Sequence, residues 1–275
     1  MLICQLTDLH LRPMGMMASG IVETNRLTER AFRSVAALDP SPDVVVITGD
    51  LTECGLEEEY AILVGLLRQY LRMPVYVIPG NHDERENFRR RLAALPGVSS
   101  AEAFVQYVVE DHPVRLVLLD TLVQGVPHGE LCDERLAFLD RALAMATDRP
   151  TLIAMHHPPF ACGIDHMDRM NLRNSDAFTA VVAKYPHVER IICGHVHRPV
   201  IARVANAVAT IGPSVAHQVG LELRPDATGA FVMEPPAFHL HRWTRETGVV
   251  THTAYVDDYA GPFLFADIPG HQGAE

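Results

Sequence analysis

The five cysteines, Cys4, Cys54, Cys132, Cys162 and Cys193, are odd in number, and no two stand in C-x-x-C spacing. That excludes a fully paired disulfide framework and a thiolate zinc site. The chain also lacks net positive charge: it carries −11 at pH 7, with a pI of about 5.7. Such a balance gives no general attraction for a nucleic-acid polymer or an anionic membrane. Any phosphate would have to be met by local charge, for which metal ions are the obvious source. No apolar run reaches membrane-spanning length. The start of the chain reads straight into a strand, with no charged n-region and apolar h-region before it. No internal repeat and no Pro- or Ser-rich linker divides the 275 residues. The expectation is one soluble, cytoplasmic domain over 1–275, with about 218–275 as a C-terminal cap or oligomer-contact extension.

What is present is a core-forming sequence, 48% hydrophobic and 21% charged, with aromatic and β-branched residues spread throughout, so disorder is excluded. Its organising stretch is Val44-Val45-Val46-Ile47-Thr48-Gly49-Asp50. The run is apolar on both faces and bounded by turn residues, which reads as a fully buried strand. It delivers Asp50 just past its carboxyl end, where open α/β folds place their chemistry.

The same pattern recurs. Strands are expected at 2–6, 44–48, 75–78, 151–155 and 188–193. They end respectively in Asp8 and His10, in Asp50, in Asn81 and His82, in His156, and in His195 and His197. In extended backbone, residues two apart point the same way, so Asp8 with His10, and His195 with His197, are each expected to face one ion. Helices are expected at 22–38, 57–71, 86–95, 133–146 and from 174 or 175 to 184, on apolar stripes at helical spacing. Hairpins are expected at 104–109 with 114–119 and at 200–204 with 208–211. A loop is expected over 160–173, and antiparallel strands at 231–233, 238–242 and 249–256. Helices alternating with strands, then hairpins, imply two mixed sheets packed face to face and covered by helices.

Imidazole, carboxylate and amide oxygen suit borderline first-row ions such as zinc, manganese, iron or cobalt. These groups are too many for one ion, and four imidazoles, two carboxylates and an amide make two sets of ligands if one carboxylate bridges. Two ions roughly 3.5–4 Å apart form the clamp used for in-line attack at phosphorus.

These blocks resemble the signature of the calcineurin-like metallophosphoesterase family: D-x-H, G-D, G-N-H-D/E, a lone His, then G-H-x-H. Here they read Asp8-Leu9-His10, Gly49-Asp50, Gly80-Asn81-His82-Asp83, His156 and Gly194-His195-Val196-His197, in order, from residue 8 to residue 197. The resemblance implies an α/β fold, the four-layer αββα sandwich of two mixed β-sheets flanked by helices. It implies two divalent metal ions with a bridging hydroxide or water. One ion would be held by Asp8, His10 and His197 and the other by Asn81, His156 and His195, with Asp50 bridging. His82 would contact the phosphate, and either protonate the leaving group or stabilise charge in the transition state, rather than bind metal, with Asp83 or Asp120 orienting His82 or a metal ligand.

Within that family the chain is most similar to bacterial class III cyclic-nucleotide phosphodiesterases and the related glycerophosphodiesterases. The supporting features are residues 20–25, Val215-Ala216-His217-Gln218 and Tyr259-Ala260-Gly261-Pro262. His217 and Asn25 become substrate-contact candidates, the substrate a small phosphodiester, and a homo-oligomer is expected. Cys54 reads as a free thiol. A count of charge agrees with a diester. Two divalent ions offset by Asp8, Asp50 and a hydroxide leave one positive charge, which a diester monoanion matches and a monoester dianion exceeds. The competing expectations are a phosphomonoesterase or phosphoprotein phosphatase on the same metals, and a non-catalytic scaffold, which would be expected to have lost ligands. The remaining histidines read as structural: His157 points away from His156 if the strand continues. His112, His128, His187, His239, His241, His252 and His271 read as surface or turn residues, and His166 as a residue that could rim the pocket. Arg89-Arg90-Arg91 reads as a solvated helix face.

Overall fold

The structure, a computed structural model, describes residues 1–99 and 103–265; His271 and the end of the 218–275 extension lie outside the described residues. The chain opens with β1 (Leu2–Leu6), α1 (Thr24–Ala36), β2 (Val44–Thr48), α2 (Glu57–Tyr70), β3 (Val75–Ile78) and α3 (Arg85–Leu92). β1, β2 and β3 are parallel neighbours. Every residue of β2 is buried, as its apolar run requires of a strand covered on both faces. α1 buries Thr24, Thr28, Ala31, Phe32 and Val35, a stripe at helical spacing. α2 starts with three glutamates in its first turn, which suit the positive end of a helix. The Glu59 carboxylate accepts from Leu56 N at 3.0 Å and Cys54 N at 3.1 Å.

The second half supplies β4 (Tyr107–Val109), β5 (Arg115–Leu118), α4 (Asp133–Ala144), β6 (Thr151–Ala154), α5 (Asp165–Asp168), α6 (Ser175–Val182), β7 (Val188–Cys193), β8 (Val200–Val204) and β9 (Ala207–Ile211). These strands form one mixed sheet in the order β4-β5-β6-β7-β9-β8. Side chains alternate across it: Leu116, Leu118, Leu152, Ala154 and Ile192 join the core shared with the first sheet. Val117, Leu119, Ile153, Met155, Ile191 and Cys193 pack with Leu139 and Leu143 of α4 and Phe178 and Val182 of α6. That period of two produces helix, sheet, sheet, helix. The expected four-layer architecture of two mixed sheets is the observed one.

The last elements are β10 (Gln218–Val219), β11 (Phe231–Val232), β12 (Ala237–Thr244) and β13 (Gly248–Tyr255). β10 and β11 pair with each other. β12 and β13 extend the first sheet, giving the order β13-β12-β1-β2-β3. Two expectations change here. His239 and His241, read as surface or turn residues, are buried, because they lie on the face of β12 turned to the second sheet, where Gln5 meets both His241 and the Cys193 carbonyl of β7. The expected loop 160–173 contains the single turn α5, in which His166 packs against Gly229. Arg90 and Arg91 both pair with Glu57 on the surface. All five cysteines are free, with Cys54 exposed. Among the described residues no helix is long and apolar enough to cross a membrane.

The two sheets are joined by polar as well as apolar contacts. Gln5 of β1 donates to the Cys193 carbonyl of β7 at 2.8 Å and to Thr48 Oγ1 at 3.0 Å. Its Oε1 meets His241 Nε2 at 3.0 Å.

The layer contact of α1 is tested by Phe32→Ala. The ring is fully buried in the first core, so its loss should cost about 3–5 kcal/mol. Urea unfolding should show this as a lower midpoint at unchanged slope.

Candidate metal centre

The carboxyl ends of β1, β2, β3, β6 and β7 meet at one edge of the sandwich. The chain turns sharply as it leaves them. Asp8, His10, Asp50, His195 and His197 all have positive φ, at 54°, 47°, 49°, 73° and 54°. Left-handed backbone is costly for residues with a Cβ, on the order of 1–3 kcal/mol each, and clusters at functional sites. This corrects the expected reason for convergence. Asp8 and His10, and likewise His195 and His197, face the centre because each sits in a left-handed turn, not because extended strand continues.

The turns bring four groups together on one side. The ligand-type atoms of Asp8, His10, Asp50 and His197, all buried, lie within 4.8 Å of one another. His10 Nε2 lies 3.1 Å from His197 Nε2 and 3.7 Å from Asp50 Oδ2, and His197 Nε2 lies 3.4 Å from Asp8 Oδ1. On the other side Asn81 Oδ1 lies 3.1 Å from His156 Nε2 and 3.0 Å from His195 Nδ1. Asp50 Oδ2 is common to both sides, since it is also 3.3 Å from His156 Nε2.

Whether these residues fit metal ions is decided by their tautomers. His156 Nδ1 faces the Thr48 carbonyl at 2.8 Å, His197 Nδ1 faces the His217 carbonyl at 2.9 Å, and His10 Nδ1 faces the Glu53 carboxylate at 2.6 Å. Carbonyls and carboxylates only accept, so each Nδ1 carries a hydrogen and each Nε2 turns a lone pair inward. Two such lone pairs, on His10 and His197, face each other at 3.1 Å. A cation between them relieves that repulsion, and the nitrogen and oxygen donor set fits divalent first-row ions.

The electrostatics agree. Burial alone would raise the Asp8 carboxyl, but the adjacent His197 outweighs it and holds Asp8 at about 2. Asp50 is likewise held well below the usual carboxylate range, with His156 overcoming its burial. Burial would lower His156, yet Asp50 beside it pushes the ring up to about 9, so without a cation a proton on Nε2 faces Asp50, in the place an ion would take. Burial, then the neighbouring His156, takes His195 down to about 3. The carboxylates thus stay ionised in a dry site and demand positive charge opposite them.

The other expected site residues fall as follows. The side chain of His82 is 38% exposed at the rim. Its Nδ1 faces the Glu53 carbonyl at 2.9 Å and its backbone N–H donates to Asp50 Oδ1 at 2.8 Å. Neither Asp83 nor Asp120 orients it. Asp83 accepts from Leu51 N, Gly80 N, Thr52 Oγ1 and Tyr60 OH, and Asp120 grips Arg85 through two nitrogens. The ring of His217 packs 4.8 Å from that of His197 and 5.5 Å from that of His10, so it borders the centre. The side chain of Asn25 bonds the loop that follows His10. Its amide is engaged on both sides by the backbone of Arg12, accepting from N at 2.9 Å and donating to O at 2.8 Å. Glu53, which the sequence reading passes over, is the partner of His10. It lies three residues beyond Asp50, with no ligand-like spacing to mark it.

The comparisons with known proteins follow this geometry. A family model described as calcineurin-like phosphoesterase matches residues 1–199. The chain is 36% identical over 271 residues to a probable glycerophosphodiester phosphodiesterase of Arcobacter nitrofigilis, covering 98% of each chain. To a 3′,5′-cyclic adenosine monophosphate phosphodiesterase of Escherichia coli K12 it is 34% identical over 196 residues, covering 71% of this chain and 69% of that one. A dimetal phosphatase from Danio rerio shares the fold at a TM-score of 0.64 with 17% identity, covering 93% of this chain and 99% of that one. The chain belongs to the calcineurin-like phosphoesterase family.

Proposed function

We propose that this protein hydrolyses small phosphodiesters at a dinuclear metal centre. The observation that carries the reading is the place of Asp50. One carboxylate oxygen lies 3.7 Å from His10 Nε2 and 3.3 Å from His156 Nε2, so a single side chain serves both halves of the ligand set. On this reading Asp8, His10 and His197 hold one ion, Asn81, His156 and His195 the other, and Asp50 bridges. Manganese, iron, zinc and cobalt suit these donors. The ions would supply Lewis-acid charge and an activated water for in-line displacement at phosphorus.

The remaining residues act on the substrate. His82 has its Nδ1 tied to the Glu53 carbonyl, which aims the rest of a half-exposed ring across the rim. Burial would lower its pKa, but Asp50 and the Glu53 carbonyl raise it above the ordinary value. When protonated, the ring can hydrogen-bond a phosphoryl oxygen and pass the proton to the departing alkoxide. His217, beside His10 and His197, is placed to contact the same substrate. Glu53 adds a negative charge that the sequence-level charge count omits, and this further favours a diester monoanion over a monoester dianion.

Both glycerophosphodiesters and 3′,5′-cyclic nucleotides such as cAMP fall in this class. Matches to glycerophosphodiesterases extend over 96% and 98% of the chain, against 71% to 86% for cyclic-nucleotide phosphodiesterases, which favours the former by a small margin. Exposed Tyr259, Phe263, Leu264 and Phe265 support a homo-oligomer built through the C-terminal extension; a cytoplasmic location belongs to the same proposal.

Hydrolysis of bis(p-nitrophenyl) phosphate should be lost on chelation and restored by manganese or cobalt. A panel of glycerophosphodiesters, cyclic nucleotides and matched monoesters should show the diesters faster. Asp50→Ala should empty both metal positions together, whereas His10→Ala should weaken one. Metal analysis of the purified variants checks this, and native affinity at either position in Asp50→Ala would refute the bridging role. His82→Ala should lower kcat about 10²–10⁴-fold, more for alkyl than for aryl leaving groups, as a plot of rate against leaving-group pKa would show.

A further inference from the structure

His157 follows the expected ligand His156 at the end of β6, and strand alternation would dismiss it. The structure places its ring, fully buried, 4.8 Å from the ring of His156 and 4.7 Å from that of His195. The ligand-type atoms of these three histidines lie within 4.8 Å of one another. The ring is held from several sides. Its Nδ1 lies 2.8 Å from Thr121 Oγ1, and the Pro127 carbonyl is a further hydrogen-bond partner. A Cβ at Gly129 would fall 2.4 Å from its Cγ, so only glycine there lets the loop close over the imidazole. With Nδ1 donating to the Thr121 hydroxyl oxygen, Nε2 keeps a lone pair.

That Nε2 is buried without a partner, and so is the Nε2 of His195. His195 turns its other nitrogen, Nδ1, to Asn81 Oδ1 at 3.0 Å. When Nδ1 serves as a ligand, the hydrogen must sit on Nε2, and a buried N–H with no acceptor is costly. The other three ligand histidines have theirs: the Thr48 carbonyl for His156, the His217 carbonyl for His197 and the Glu53 carboxylate for His10. Buried histidines outside the centre are not uniform, since His239 also leaves its Nδ1 without a partner. His241, equally buried, has both nitrogens engaged, by Thr251 Oγ1 at 2.8 Å and by Gln5 Oε1 at 3.0 Å.

We propose that His157 is a positioning residue for the metal centre. Its Nε2 accepts the Nε2 hydrogen of His195, directly or through one water, and so keeps the Nδ1 lone pair of His195 turned toward Asn81 and Asp50. The chain Thr121–His157–His195 then does for the second ion what Glu53 does through His10 for the first. This inference rests on the dinuclear reading above.

The test is cobalt(II) reconstitution of the full chain, read by chelator competition and by the visible d–d spectrum. His157→Leu should weaken one of the two sites about 10–100-fold and change its spectrum, leaving the other site unaltered. His157→Gln, which offers an amide oxygen to the same hydrogen, should recover much of the affinity. Should the leucine variant not fold, Thr121→Val carries the same test, with a smaller loss confined to the same site. If His157→Leu folds and matches wild type in both affinity and spectrum, or if the two sites weaken equally, the positioning role is wrong while the dinuclear reading stands. If wild type itself binds no cobalt, the dinuclear reading falls and takes this inference with it.

Discussion

Three imidazoles of the centre are each tied from behind by a group that can only accept a hydrogen, and much of the fold exists to supply those groups. Thr48 offers its carbonyl at the end of β2, His217 at the start of β10, and Glu53 its carboxylate from the loop before α2. None of these acceptors lies on the element that carries its histidine. The tautomers therefore cannot be set until the two sheets have packed. A neutral imidazole in water exchanges its proton between nitrogens freely; here the choice is made by tertiary structure. The cost is burial of two carboxylates and several imidazoles, which only cationic charge among them repays.

The spacing between the two halves depends on a second buried group, Asp83. Its carboxylate collects Leu51 N and Thr52 Oγ1 from the loop after β2, Gly80 N from the loop after β3, and Tyr60 OH from α2. Asp50 and Asn81 flank this knot on the two loops it joins. Burial, with Asp50 nearby, raises Asp83 to about 6, so four donors are required to keep a carboxylate there. Gly194 contributes the opposite way, by having no side chain. A Cβ at that position would fall 2.1 Å from Thr7 Oγ1 and 3.0 Å from Asp8 Oδ2, so the β7 turn could not close against β1.

The sequence made the strands legible because buried β-branched runs and their polar ends are local signals. Thr48-Gly49-Asp50 and Cys193-Gly194-His195 announce a strand end and a ligand in a few residues. The geometry at those ends was not legible, since nothing in Asp8-Leu9-His10 says that both polar residues adopt left-handed backbone. Roles set by distant partners were hidden for the same reason. His239 and His241 looked like surface or turn residues because alternation does not reveal which face of β12 turns to the second sheet. Asn25 looked available because its hold on Arg12 spans thirteen residues of loop. Glu53 acts through His10, and such partners carry no spacing rule; His157 reads as structural because strand alternation turns it away from His156, whereas its ring packs 4.8 Å from that of His156.

Glu53 also bears on what the centre can accept. Its carboxylate touches His10 at 2.6 Å and lies 3.8 Å from His82 Nδ1, so it shares charge with one ligand and stands beside the residue placed to meet the leaving group. His10 and His82 pack edge to face at 4.7 Å, and Glu53 sits against both. In a site this dry the third carboxylate is screened far less than it would be at the surface. It lowers the positive potential beside His10 and His82. A dianion would gain less there than the two ions alone would offer. The proposed preference for a diester thus draws on a residue outside the family signature, one that also holds His10 in the tautomer that the centre needs.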